Sequence, residues 1–203
     1  MAITIPRVRN KHGASVADVI IEQIALCKAN LESIERIAKY RKPREKMDEI
    51  RRRLRASHDF LGMAGSRKDG CLYREIDLPL DEPVVCEHAI PVTGLASLYE
   101  VGTPFEELAF YPVARISKKS DNKFRSRGLV KSGYDLVLPF KRYDTVDIRI
   151  ETHEGIAIDC RTWTMQNHWS LVEKTKELAS IRDEVLSKLQ RLKMLVSEVD
   201  QVP

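Results

Sequence analysis

Long apolar stretches are missing from this sequence of 203 residues. No run reaches the roughly 18 consecutive apolar residues that a membrane-spanning helix requires. The segment Met1 to Lys11 carries Pro6, Arg7, Arg9 and Lys11 where a signal peptide would need an apolar core, so the chain is expected in the cytoplasm and away from membranes. Cysteine is sparse and irregular: Cys27, Cys71, Cys86 and Cys160 form no CxxC pair and have no regular spacing, which supports neither a zinc finger nor a disulfide framework. Reduced thiols packing as small hydrophobes are the expectation. Aromatic residues make up 6% and are dispersed, too few for a platform that stacks single-stranded bases.

What is present fits a globular protein with long exposed helices: 43% hydrophobic and 32% charged residues, with a net charge of +4. Such mild basicity permits polyanion binding without requiring it, so local clustering must decide.

The first periodic segment runs from about Ser15 to Lys39. Ile20, Ile24, Cys27, Leu31, Ile34 and Ala38 recur at alternating four and three, the stripe of an amphipathic helix with coiled-coil character. Arg41-Lys42-Pro43 breaks it, and a second helix is expected over Arg44 to Phe60 with Met47, Ile50 and Leu54 on its apolar side. Three glycines between Gly62 and Gly70 mark a break.

Beyond it the period changes. From Cys71 to Met165 short apolar runs are separated by Pro, Gly and Asp, as in a compact mixed domain. Val146, Ile148 and Ile150 alternate with polar residues, as do Ile156, Ile158 and Cys160 after His153-Glu154-Gly155, which reads as a half-buried β-hairpin. A final helix is expected from about Asn167 to Val199, with Ser170 and Glu173 as a capping box. Leu178, Val185, Leu192 and Val199 repeat every seven, with Ile181 and Leu195 at d-type positions and Lys188 interrupting the seam. The terminal heptads can pack on each other or form a dimer. The fold class is therefore α+β, with a helical region over 1–61, a mixed domain over 71–165 and a coiled-coil-like helix over 167–203.

Two titratable side chains close a short apolar run in "PVVCEHAIPVTGL". A histidine at a strand end can be a hydrogen-bonded structural residue or a general base. The other histidines offer less. Ser57, His58 and Asp59 are sequence neighbours and cannot make a triad, which draws on separate elements. His153 reads as a turn residue, His168 as a neighbour of a helix cap, and His12 as part of an N-terminal arm.

The chain resembles the ββα-metal, or HNH, endonuclease family. The residues that carry the likeness are "EHAIP", then "YPVARISKKSDNKF" and "GLVKSGYDLVLPFKRY", a pattern also similar to small HNH-like proteins of phages and prophages. The resemblance covers Val84 to Tyr143. It implies a central ββα-metal-like element in which His88 takes a proton from water. Glu87 and Asn122, with Asp121 as the close substitute for Asn122, would hold a divalent ion such as Mg²⁺. A strand over Tyr111 to Ser117 would lead into the helix bearing Asn122, and the intervening chain would hold an extra helix, Thr93 to Leu108.

Two basic clusters stand out. Arg41 to Arg55 holds eight Lys or Arg against three acids, but Asp48 with Arg52 and Glu49 with Arg53 make ordinary helical pairs, so a solvated face is favoured there. Between Arg115 and Lys131, seven cations (Arg115, Lys118, Lys119, Lys123, Arg125, Arg127 and Lys131) face a single acid, Asp121. Such a cluster repels itself unless something anionic lies within it.

Three readings follow. The first is a metal-dependent endonuclease acting on nucleic acid, with double-stranded DNA as the expected substrate. The second is a non-catalytic phage or defence-system protein, an inhibitor or accessory subunit, working through its helices as a homodimer or with another protein. The third is a nucleic-acid binder without catalysis.

Overall fold

A computed structural model describes residues 15–36, 44–61, 71–78 and 82–199. His12, the Arg41-Lys42-Pro43 break and the glycine-rich stretch lie outside them. The fold is α+β, built on a five-stranded mixed sheet in the order β2-β3-β1-β4-β5.

Two helices open the chain, α1 (Val16–Arg36) and α2 (Arg44–Phe60). They pack together through the stripe that the sequence predicts: Ile20, Ile24 and Cys27 of α1 and Ile50 and Leu54 of α2 are buried. The first strand, β1 (Tyr73–Glu75), pairs in parallel with β3 (Val113–Ser117) and antiparallel with β4 (Ile150–Thr152). β2 (Val84–His88) pairs antiparallel with β3, placing His88 opposite Val113 and Val84 opposite Ser117.

Between β2 and β3 the chain forms α3 (Val92–Glu100) and the short α4 (Phe105–Leu108). The single helix expected over Thr93 to Leu108 is thus two. Gly102 adopts φ +104, a left-handed conformation that ends α3, and Pro104 caps α4.

Helix α5 (Lys118–Ser126) follows β3 directly and packs on both β2 and β3. Its start is fixed by Ser117, whose Oγ accepts from the Ser120 N–H at 3.0 Å. Glu75 of β1 accepts from the Ser117 N–H at 2.7 Å and from the Ser120 hydroxyl at 2.6 Å, tying the helix to the sheet.

The predicted hairpin forms, but is shorter than its alternation suggests. β4 pairs with β5 (Ala157–Ile158), while Val146 caps the small helix α6 (Lys141–Thr145). Asp147 has φ +54 and Ile148 donates its N–H to the Tyr143 carbonyl, so the alternating residues before Ile150 sit in a turn. Ile156 is exposed at 57%.

The last helix is also divided, into α7 (Met165–Lys174) and α8 (Lys176–Val199). Thr164 and Asn167, rather than Ser170 and Glu173, form the capping box. At the break, Thr175 takes an extended ψ and its hydroxyl donates to the Leu171 carbonyl at 2.8 Å. Leu178, Ile181 and Val185 are buried, and α8 packs on α1. Lys188 at the seam bonds Asp18 of α1 at 2.5 Å and Glu184 at 2.6 Å, which accommodates a cation in the heptad pattern. Farther along, Leu192 is 48% exposed, and the side chains of Leu195 and Val199 fall outside the described residues.

One buried cluster runs from Val16 through the sheet to Val185, so the terminal helices and the sheet share a core. No helix among the described residues is long and apolar enough to cross a membrane.

Candidate functional site

Adjacent strand residues project to opposite faces of a sheet. At the end of β2 this separates the two residues of interest: His88 turns toward α2, and Glu87 toward α5 and α6.

On the α2 side His88 is 9% exposed and His58 is fully buried. The His58 Nδ1 lies 2.9 Å from the His88 Nε2, and the His58 Nε2 lies 3.2 Å from the Leu108 carbonyl. A carbonyl can only accept, so His58 donates through Nε2 and accepts at Nδ1, and His88 donates through Nε2. The Nδ1 of His88 is left as a lone-pair acceptor. Burial pushes the His58 pKa down to about 4, and burial, followed by the neighbouring His58, Arg55 and Arg142, pushes that of His88 well below the usual histidine range. Both rings are neutral at pH 7.

On the other side Arg142 from α6 is completely buried. Its Nη2 donates to the Glu87 carboxylate and, at 2.6 Å, to the His88 carbonyl. Nε donates to the Ala89 carbonyl at 3.1 Å and Nη1 to the Leu129 carbonyl at 2.8 Å. The guanidinium also stacks 4.5 Å from the centroid of the Phe124 ring on α5. Arg142 therefore fastens the end of β2 to the chain that follows α5. Burial raises the Glu87 pKa, with Arg142 opposing it and Asp121 reinforcing it.

Burial separates the two candidate ligands on α5. Ser120 and Phe124 are buried and the Asp121 side chain is only 14% exposed, whereas Asn122, a step of about 100° round the helix, is exposed. Asp121 itself is engaged by Lys118 at 3.2 Å and Arg125 at 3.4 Å. Of the residues that the sequence nominates for a metal, Glu87 and Asp121 share one side of β2, Asn122 faces outward, and His88 lies across the sheet. A divalent ion at Glu87 would have to displace a buried arginine that already satisfies four acceptors. As placed, these residues do not fit the ion. Among the described residues, no group of three or more His, Cys, Asp or Glu is arranged to hold a metal.

The cations of the second basic cluster are spread along β3, α5 and the turn beyond. Arg115 lies within the sheet, opposite Cys86 and Arg74. Lys118 and Arg125 flank Asp121 with side chains 47% and 63% exposed. Lys123 donates to the Asp147 carbonyl at 3.1 Å. Lys119, Arg127 and Lys131 are exposed.

Sequence reasoning missed two partners. His58 continues the apolar stripe of α2, since Ile50, Leu54, His58 and Leu61 recur at four, four and three, and that register signals burial. Arg142 lies between Phe140 and Tyr143 in "PFKRY", but its partners at the end of β2 are 53 to 55 residues away along the chain and no local pattern names them.

Comparison of the chain with family models, with curated proteins and with solved structures finds no match in any of the three.

Proposed function

We propose that this chain binds the phosphodiester backbone of nucleic acid, double-stranded DNA in the first instance, across the outer face of α5 and the turn after it. Glu87 and His88, in this reading, hold the fold together. The observation that carries the proposal is the set of exposed cations Lys118, Lys119, Arg125, Arg127 and Lys131, among which the one acid of residues 115–131, Asp121, is already shared by two of them. Like charges this dense are relieved by an anion that can release counterions on binding.

The test is fluorescence anisotropy with a labelled duplex over a range of salt, using wild type and Lys119→Glu/Arg127→Glu/Lys131→Glu. Wild-type affinity should fall as salt rises, and the log–log slope should shrink by about 2.7 in the variant, about 0.9 for each lost phosphate contact. Equal binding by the two proteins, or none by wild type at low salt, would overturn the proposal.

Hydrolysis of a nucleic-acid strand is a second reading, resting on the chain order β2-β3-α5 and on the oriented imidazole of His88, which faces α2 and so requires a strand that reaches that side of the sheet rather than α5. Incubation of plasmid with Mg²⁺, Mn²⁺ or Ni²⁺ separates the two. Cleavage that disappears in His88→Ala would favour hydrolysis, and intact plasmid with salt-sensitive binding would favour the first reading.

A further inference from the structure

The four cysteines are far apart in sequence, yet two of them meet. The Cys71 Sγ, just before β1, lies 3.2 Å from the Cys86 Sγ on β2, while Cys27 packs in α1 and Cys160 donates to the Ile148 carbonyl at 3.9 Å. A disulfide needs about 2.05 Å between sulfurs, so closure asks for a movement of about 1.2 Å.

We propose that Cys71 and Cys86 form a reversible redox pair that closes to an intramolecular disulfide in the folded protein. Cys71 is 2% exposed, and Cys86 is the more accessible of the two. The first attack falls to Cys86 because it is the more accessible cysteine, and the hydrogen bond to Cys86, followed by burial, also pushes the Cys71 thiol well above its ordinary range. With a small organic disulfide as oxidant, the Cys86 thiolate attacks one of its sulfurs, forms a mixed disulfide and releases one thiolate. Cys71 then loses its proton and attacks the Cys86 sulfur, expelling the second thiolate. Two protein thiols are oxidised, and the oxidant is reduced to two thiols.

The bond would have a specific mechanical effect. Cys86 and His88 project from the same face of β2, so closure tethers the residues just before β1 to the strand face on which the two histidines meet. This proposal is independent of the nucleic-acid reading.

Native protein exposed to oxidised glutathione, without denaturant, provides the test. The accessible thiol titre after quenching and unfolding should fall from four to two. Intact mass should show the loss of two hydrogens, and digestion should yield one linked peptide containing Cys71 and Cys86, cleaved again by dithiothreitol. The Cys27→Ser/Cys160→Ser variant should behave identically, and Cys86→Ser should form no internal link. Cys86→Ala checks that result should the serine variant fail to fold. Stable glutathionylation without an internal link, a link through Cys27 or Cys160, or closure only in denaturant would overturn the proposal.

Discussion

The two faces of β2 solve one problem in different ways. Each receives a titratable side chain at the strand's end, His88 buried and Glu87 with its side chain 21% exposed, and must satisfy it. Toward α2, His88 is kept neutral and shares hydrogen bonds with a second neutral ring. Toward α5, Glu87 is matched with an arginine that is itself fully buried and anchored on three backbone carbonyls. The first arrangement is broken by protons. The second is broken by removing one partner, because an unpaired buried charge costs more than the pair contributes.

Acid should therefore produce the largest effect. A histidine whose folded pKa lies below its unfolded value binds fewer protons folded than unfolded between those two values. Stability is thus complete above about 6.5, the ordinary histidine value, and declines as pH falls toward 4. His58, and outside this pair His168, which is buried on α7 with its Nε2 2.8 Å from the Phe110 carbonyl, are each lowered from 6.5 to about 4 and should together lose about 7 kcal/mol across that window, with His88 adding in the same direction. Urea titrations from pH 7 to pH 4 check this, and a flat profile would contradict the neutral pairing.

Next comes the charged face. Arg142→Leu should cost about 3–5 kcal/mol by stranding Glu87, and Arg142→Met/Glu87→Met should recover most of that loss. Equilibrium unfolding of the single and double variants measures the difference. A double variant as unstable as the single would assign the cost to the carbonyl contacts rather than to the charge.

A smaller effect is expected from His58→Phe, which keeps a ring but leaves the His88 Nε2–H without its acceptor, at about 1–3 kcal/mol. Its pH profile should also flatten by the share that His58 contributed. The smallest effect on stability is expected on the outer surface: the Lys119, Arg127 and Lys131 charge reversal should stay within about 0.5 kcal/mol of wild type while altering DNA affinity.

How far the sequence reveals this comparison depends on the range of the interaction. The stripes of α1, α2 and α8 are local, and each of these helices forms where its period predicts, while β2 forms at the short apolar run and β3 within the Tyr111 to Ser117 segment that the resemblance implies. Failures arise where a local conformation overrides the period. A positive φ at Asp147 converts an alternating run into a turn, and the Thr175 hydroxyl bonding back to Leu171 divides a long helical pattern. At the candidate site, the strand-end position of Glu87 and His88 was legible, as was the helix following β3. The choice between Asp121 and Asn122 depends on helix rotation by one residue. The partnership of Glu87 with Arg142 is long-range, whereas the burial of His58 is legible in the α2 stripe, which continues past Leu54 to His58 and Leu61.

The most direct test concerns the identity of the Glu87 counter-ion. Mn²⁺ binding by wild type, Glu87→Gln and Asp121→Asn can be followed by titration calorimetry and by the electron paramagnetic resonance of free Mn²⁺. If Arg142 fills that role, the three proteins will give the same isotherm, with no stoichiometric site assigned to Glu87. Stoichiometric Mn²⁺ binding by wild type that is lost in Glu87→Gln would contradict the account and show that the arginine yields its place to a metal.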